Sequence, residues 1–314
     1  MLWLPVSILA YLILAIVFLV DKYLLTGPIP NPKVYAFYVG TLGLLVLFIA
    51  PFVDFYLPEK SQIALSLLAG ATFIYGLFWF YSALRLFEPS RVVPAIGGLT
   101  PLFTFGLIYI VSGGKEILSF SEVIAFILLI LGSVLINFKK EKLITFKSLQ
   151  LSILSAFLFS LSFVLIKYVY LFLPFWNGFI WRSIGGFLMA LCFFIFFPEI
   201  KKEILKEFTP HRIYSGAGRE GFSKKTAAIF LANQAAGGGA AILQNFAIFL
   251  APLVYIPLIH ALNGTQYIFL LILAILISTK FPQILREEIS KEIILQKIIA
   301  ILLIGIGLSL LTFK

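Results

Sequence analysis

Apolar residues in this chain come in continuous runs rather than in alternation, and ten of the runs are long enough to cross a bilayer. They cover residues 2–20, 34–53, 63–84, 92–111, 120–138, 149–166, 175–197, 227–250, 253–279 and 293–313. A hydrocarbon core about 30 Å thick takes roughly 20 helical residues to cross, which is the size of these runs. A membrane β-barrel would instead show ten-residue segments of alternating polarity. The pattern therefore predicts an all-α polytopic membrane protein of ten transmembrane helices. The fifth and tenth runs are the weakest, with uninterrupted cores only from Val123 to Ile136 and Ile298 to Leu311, and with Glu122 and Lys297 at their entrances. Charged ends of this kind snorkel to the interface.

Composition leaves no room for a sizeable water-soluble domain: 61% of residues are hydrophobic and 12% charged. The first run has no basic leader and no small-residue cleavage site before Asp21-Lys22, so it is expected to stay as a helix rather than to be removed as a signal peptide. Cys192, the single cysteine, lies inside the seventh run; it implies neither disulfide nor zinc chemistry and is expected in the core. No cofactor and no metal site are expected.

The net charge of +10 reports topology rather than nucleic-acid binding, because the basic residues sit between spans instead of on a folded surface. Nineteen of the 24 Lys and Arg fall in the odd-numbered connections, and Lys60, Lys115, Lys167 and Lys314 fall in the even ones or at a terminus. The positive-inside bias places the odd connections in the cytoplasm and both termini outside, in a multi-pass plasma (inner) membrane protein. The longest connection, residues 198–226, is then cytoplasmic, with Lys and Glu interspersed before Ser215-Gly216-Ala217-Gly218, a solvated linker.

The chain also repeats itself. Phe18-x3-Lys22-Tyr23 at the end of the first run matches Phe163-x3-Lys167-Tyr168 at the end of the sixth, and Pro30 matches Pro174. Ala95-Ile-Gly-Gly98-Leu-Thr-Pro-Leu-Phe103 in the fourth lies against Ala261-Leu-Asn-Gly264-Thr-Gln-Tyr-Ile-Phe269 in the ninth, while Gly132 and Gly305 lie near the ends of the fifth and tenth. Five helices per half make the repeat inverted across the membrane, with units 1–143 and 144–314. That is a carrier architecture, in which two halves exchange conformations about a midplane site.

Particular motifs carry a family resemblance. Phe80-Tyr81-Ser82-Ala83-Leu84 followed by Leu99-Thr100-Pro101-Leu102-Phe103-Thr104, Lys115-Glu116 with Leu118-Ser119, and Ser162-Phe163-Val164-Leu165-Ile166-Lys167 resemble the ten-helix EamA-type members of the drug/metabolite transporter superfamily. Lys115 stands where that pattern has Gly, and Glu287 or Glu288 stands near the second-half equivalent of Glu116. The resemblance implies export of small metabolites, often amino acids. It also implies cytoplasmic termini, the opposite of what the basic residues predict.

Polar residues inside spans are costly and point to function. No acidic residue lies mid-span, which disfavours a proton-coupled exporter of cationic drugs. Arg182 and His260 enter the seventh and ninth runs at similar depth, leaving the cavity neutral to positive, so an anionic, zwitterionic or neutral solute is expected, with Arg182 as carboxylate partner or, alternatively, as a snorkelling anchor. Asn233, Gly237, Ala240 and Gln244 share one face of the eighth run, while Tyr75, Trp79 and Ser82 share one face of the third. Tyr75, Trp79, Ser82, Thr100, Arg182, Asn233, Gln244, His260 and Asn263 are the candidate substrate-binding residues, with helix packing as the alternative for the two faces and for His260. Pro94, Gly97, Gly98 and Pro101, and their counterpart Gly264, are candidates for helix breaks and gates.

A membrane enzyme is not expected: there is no midspan carboxylate pair, no His-Glu-x-x-His, no nucleophile beside a base, and only His211 and His260 as histidines. A flippase for a lipid-linked intermediate is the alternative on the same fold logic. The expected partners are a small-molecule substrate and membrane lipids, not nucleic acid; a homodimer stays open.

Overall fold

The computed structural model describes residues 1–26, 31–86, 89–115, 117–137, 146–202, 224–266, 268–269, 272–273 and 291–312. Among them every regular element is helical: α1 (Trp3–Thr26), α2 (Pro32–Gly43), α3 (Lys60–Leu86), α4 (Pro89–Val111), α5 (Phe120–Asn137), α6 (Phe146–Tyr170), α7 (Phe175–Phe196), α8 (Lys224–Leu250), α9 (Ile256–Ala261) and α10 (Lys291–Thr312). Six helical stretches, in α1, α2 with its continuation, α3, α6, α7 and α8, are long and apolar enough to cross a membrane; Ala95–Val111, Phe120–Gly132 and Ile298–Leu310 are shorter apolar stretches.

Several boundaries differ from the hydropathy reading. α1 runs to Thr26, six residues past the apolar run, so Asp21 lies inside a helix rather than in a connection. α2 tightens at Leu44 into a 3-10 helix that continues to Phe52. The ninth run is broken at its start: Leu253–Tyr255 is a single 3-10 turn before the six-residue α9. α4, by contrast, is continuous through Pro94, Gly97, Gly98 and Pro101. The Pro94 side chain, Glu116 and Glu287–Glu288 lie outside the described residues.

Local chemistry accounts for the helix ends. Asn31 caps α2, its Oδ1 accepting from Lys33 N at 3.1 Å, with Pro32 in the first turn where a missing N–H costs nothing. Ser119 and Glu122 form the start of α5: Glu122 Oε2 accepts from both Ser119 N and Ser119 Oγ at 2.7 Å, so this buried carboxylate is a cap. Between α4 and α5 the backbone turns through Gly113 and Gly114 at φ of 63° and 76°, a region that side chains rarely enter.

α6 is the hub. Its hydroxyls reach neighbouring backbones, Ser162 Oγ to Ala69 O at 2.6 Å, Ser155 Oγ to Gly76 O at 3.1 Å and Ser160 Oγ to Thr100 O at 2.9 Å, joining it to α3 and α4. Small and hydroxyl residues at contacts are what lipid-embedded helices use, because apolar burial gives no preference for a neighbouring helix over lipid. α3 also packs on α7, α1 on α8, α2 on α7, and α5 on α10. In that last pair Gly132 faces Ala300 and Ile304, and the reciprocal glycine is Gly307 against Ala125 and Leu129; Gly305 has open space around it.

Two assignments from the sequence change here. Cys192 is exposed on the outer face of α7, not in the core. Lys167 belongs to α6 rather than to a connection: its Nζ, in a side chain only 4% exposed, donates to the carbonyls of Ile248, Phe249 and Ala251 at 3.2, 3.3 and 2.5 Å. A cation thus closes the C-terminal end of α8, where carbonyls lack intrahelical partners and the helix dipole is negative. Lys167→Met is expected to lower stability in detergent by about 1.5–3 kcal/mol, the range for hydrogen bonds to a charged group, read as a reduced melting temperature.

At the opposite ends of the helices, Lys33 and Glu199 form an ion pair at 2.8 Å, and Lys33 also lies over Phe197. The hydrogen bond and charge of Lys33 hold the Glu199 carboxyl below its usual range. This contact joins the start of α2 to the end of α7 on the side rich in basic residues.

Candidate substrate site

Arg182 is turned into the protein. Its neighbour Trp181 points the other way, with Nε1 3.4 Å from Tyr56 O, and Asn177 Nδ2 reaches the same carbonyl at 3.3 Å. Those two contacts tie the entrance of α7 to the segment between α2 and α3, so the guanidinium, one residue on, faces α3. It is 5% exposed and lies over the Phe73 ring with Cζ 4.4 Å from the centroid. Snorkelling to the interface is thereby ruled out for this conformation.

The backbones make this approach feasible. A Cβ on Gly70 would lie 1.8 Å from Arg182 O, and one on Gly185 would lie 2.2 Å from Leu67 O, so α3 and α7 touch main chain to main chain. Only glycine leaves that space.

From Arg182 a continuous series of rings leads to His260. Phe73 sits edge-on to Phe163 at 6.2 Å, and Phe163 stacks on His260 at 4.1 Å with an interplanar angle of 26°. Four helices contribute: α7 the cation, α3 and α6 the phenylalanines, α9 the imidazole. The two ionisable residues singled out from the sequence are therefore joined through two rings that were not.

Arg182 Nε and Nη2 and His260 Nε2 are buried without a hydrogen-bond partner among the described residues. A buried polar nitrogen left unpaired costs about 1–3 kcal/mol, and more on a charged group. The cation–π contact offsets up to about 2 kcal/mol of this. What remains is a pair of unsatisfied guanidinium donors and an unpaired imidazole nitrogen facing apolar rings, chemistry that suits a solute with a carboxylate or another hydrogen-bond acceptor next to an apolar body. Both heads are buried, so a solute reaches them only when helices part.

Other candidate residues sit elsewhere. Gln244 Nε2 lies 3.5 Å from Tyr11 OH, which donates to Ile259 O at 2.9 Å, so Gln244 is connected to the residue preceding His260. Asn263 is half-buried and Gly264 buried, just beyond α9. Asn233 is remote from this group: its Nδ2 donates to Asp21 at 2.6 Å. Thr100 Oγ1 bonds to Ile96 O within α4 and its carbonyl accepts from Ser160, a helix contact. Ser82 Oγ bonds to Phe78 O of its own helix. Tyr75 and Trp79 belong to an aromatic group with Phe78 and Phe193, in which Trp79 Nε1 is buried without a partner among the described residues. Gly98 lets α4 approach Val134 of α5 and makes no break. Among the described residues no group of His, Cys, Asp and Glu could hold a metal ion.

No protein-family model matches the chain, and no curated protein matches it. Solved structures do: 28 chains match, and one described only as the crystal structure of a protein aligns over 99% of this chain and 96% of its own at a TM-score of 0.63 and 17% identity. At that identity the likeness shows a shared fold along almost the full length, and nothing of function.

Proposed function

We propose that this chain is a secondary carrier of the EamA-like drug/metabolite type, with ten transmembrane helices in two inverted five-helix repeats, that moves a small anionic, zwitterionic or neutral metabolite by alternating access. The observation that carries this reading is the buried, unsatisfied Arg182 joined through Phe73 and Phe163 to His260. An enzyme would need a nucleophile or acid–base pair at that point, and Arg182 and His260 are separated by two apolar rings.

Helix pairing supports the repeat. If α1 to α5 correspond to α6 to α10, the α1–α8 pair corresponds to α6–α3, while α2–α7 and α5–α10 correspond to themselves; all four are major contacts. Among the described residues symmetry fails at several pairs: α3 packs along α7 and on α2, while its counterpart α8 barely touches α2 or α7, and α4 packs on α6, while α9 has no comparable contact with α1. Inequivalent contacts between equivalent helices are what a carrier closed towards one side has, and exchange of the two arrangements is the transport step. The basic residues orient the carrier with the Lys33–Glu199 side in the cytoplasm and both termini outside.

The test is untargeted. Purified protein in liposomes loaded with a mixture of small metabolites should deplete a subset of carboxylate-bearing or neutral solutes faster than protein-free liposomes. Equal leakage of every solute, independent of its chemistry, would point to a pore, and no flux at all would remove the carrier reading.

A further inference from the structure

Away from Arg182, three helices meet at a carboxylate. Asp21, in the last two turns of α1, accepts hydrogen bonds on Oδ1 from Tyr35 OH of α2 and from Asn233 Nδ2 of α8, the latter at 2.6 Å. Gln234 Nε2 of α8 lies 3.4 Å from Tyr35 OH. The Tyr35 ring is fully buried, edge-on to Tyr81 of α3 at 4.9 Å and to Phe230 of α8 at 5.6 Å. Asp21 itself is half-buried, so protons reach it.

We propose that Asp21, with Tyr35 and Asn233, is the site at which this protein binds a coupling proton, and that protonation releases α8 from α1 and α2; the coupling half of this rests on the carrier reading above. Three features carry it. Among the described residues the carboxylate is satisfied by neutral donors rather than by a cation: the facing titratable groups are Tyr35 from α2 and Tyr81 from α3, and α8 contributes the amides of Asn233 and Gln234. Neutralising Asp21 therefore strands no buried positive charge, as it would in a salt bridge. Next, a hydrogen bond accepted by an ionised carboxylate is about twice as strong as a neutral one, so adding a proton weakens both links at once. Last, those links hold a helix that is open on its other side: Ala228, Leu231, Ala232, Ala235, Gly238 and Gly239 form an exposed strip along α8. The same helix breaks the symmetry between repeats, so loosening it changes the contact that has to change. A metal cation fits less well, because both amide groups turn their N–H ends toward Asp21 and Tyr35.

The seam can be read without a substrate. A Cβ at Gly237 would lie 3.6 Å from Val17 Cγ1, one turn from the Asn233–Asp21 bond on each helix. With Val17→Cys and Gly237→Cys in a Cys192→Ser background, oxidative crosslinking at mildly alkaline pH should fall several-fold in mild acid. The same pair with Asp21→Asn should show only the pH dependence of the thiols, and with Tyr35→Phe the acid response should persist. A parent pair that follows the Asp21→Asn pair at every pH overturns the proposal. In the liposome assay an imposed proton gradient should accelerate metabolite flux in the parent protein and not in Asp21→Asn, which keeps solute-for-solute exchange. If the seam follows pH but no metabolite moves, the carrier reading falls and the proton site stands. If metabolites move but the seam ignores pH, the proton site falls and the carrier stands.

Discussion

Arg182→Gln is expected to slow transport of a carboxylate-bearing metabolite by about 10- to 100-fold while leaving the protein folded and extractable. The size follows from the roughly 1.5–3 kcal/mol that a hydrogen bond to a charged group is worth. Folding should tolerate the change because Arg182 Nε and Nη2 have no partner among the described residues, so no bond from those atoms is lost; only the contact with Phe73 goes. Arg182→Lys should restore part of the rate, since a lysine keeps the charge and the ring contact but not the planar fork. The comparison is initial rate in liposomes against melting temperature in detergent. A variant that loses both in parallel would make Arg182 a structural residue, and normal transport by Arg182→Gln would leave the substrate-charge argument without support.

The largest effect on stability is expected from Gly70→Ala. The new Cβ would meet Arg182 O at 1.8 Å, Gly186 N at 2.5 Å and Arg182 C at 2.9 Å, all backbone atoms that cannot swing aside. α3 and α7 must separate along their contact, at a cost of about 3 kcal/mol or more, the upper end for overpacking. Gly185→Ala, 2.2 Å from Leu67 O, should behave alike. Gly238→Ala makes the opposite prediction: nothing lies within 4 Å of that Cβ, so the gain in helix propensity, roughly 0.5–1 kcal/mol, should show as unchanged or raised stability. Thermal unfolding of the three variants in one detergent checks all of this. If Gly70→Ala and Gly238→Ala behave alike, the tight α3–α7 crossing is wrong.

The apolar runs foretold the helices because hydropathy reports what lies in lipid, and lipid demands that each backbone satisfy its own hydrogen bonds. They also isolated Arg182, since a lone cation in an apolar run has no inexpensive position. One local signal went unread: Ser119-x-x-Glu122 has the capping-box pattern, and its Glu-to-backbone half, Glu122 accepting from Ser119 N, is realised at the start of α5.

Helix ends were less legible. Asp21 and Lys167 looked like connections because hydropathy ends where charge begins, yet both helices continue, since a charge with partners on another helix need not leave. Lys167 finds three carbonyls of α8 and its flank, 81 to 84 residues away, and Asp21 finds Asn233, 212 residues away, and Tyr35, 14 residues away on the next helix. The polar face of the eighth run was visible, but not that Asn233 holds Asp21 while Gln244 meets Tyr11.

By itself, then, the sequence determined that the chain is helical, embedded in lipid, charged asymmetrically and in possession of one deep cation. Only the tertiary structure decided which helices pair, that Cys192 faces outward, that Phe73 and Phe163 bridge Arg182 to His260, and that Asp21 lies at a three-helix junction. The reason is that lipid-facing and protein-facing surfaces of these helices are equally apolar, so no hydrophobic stripe marks the inner face. Inside and outside are distinguished by glycine spacing and by single hydrogen bonds between distant residues, and neither leaves a periodic trace in the chain.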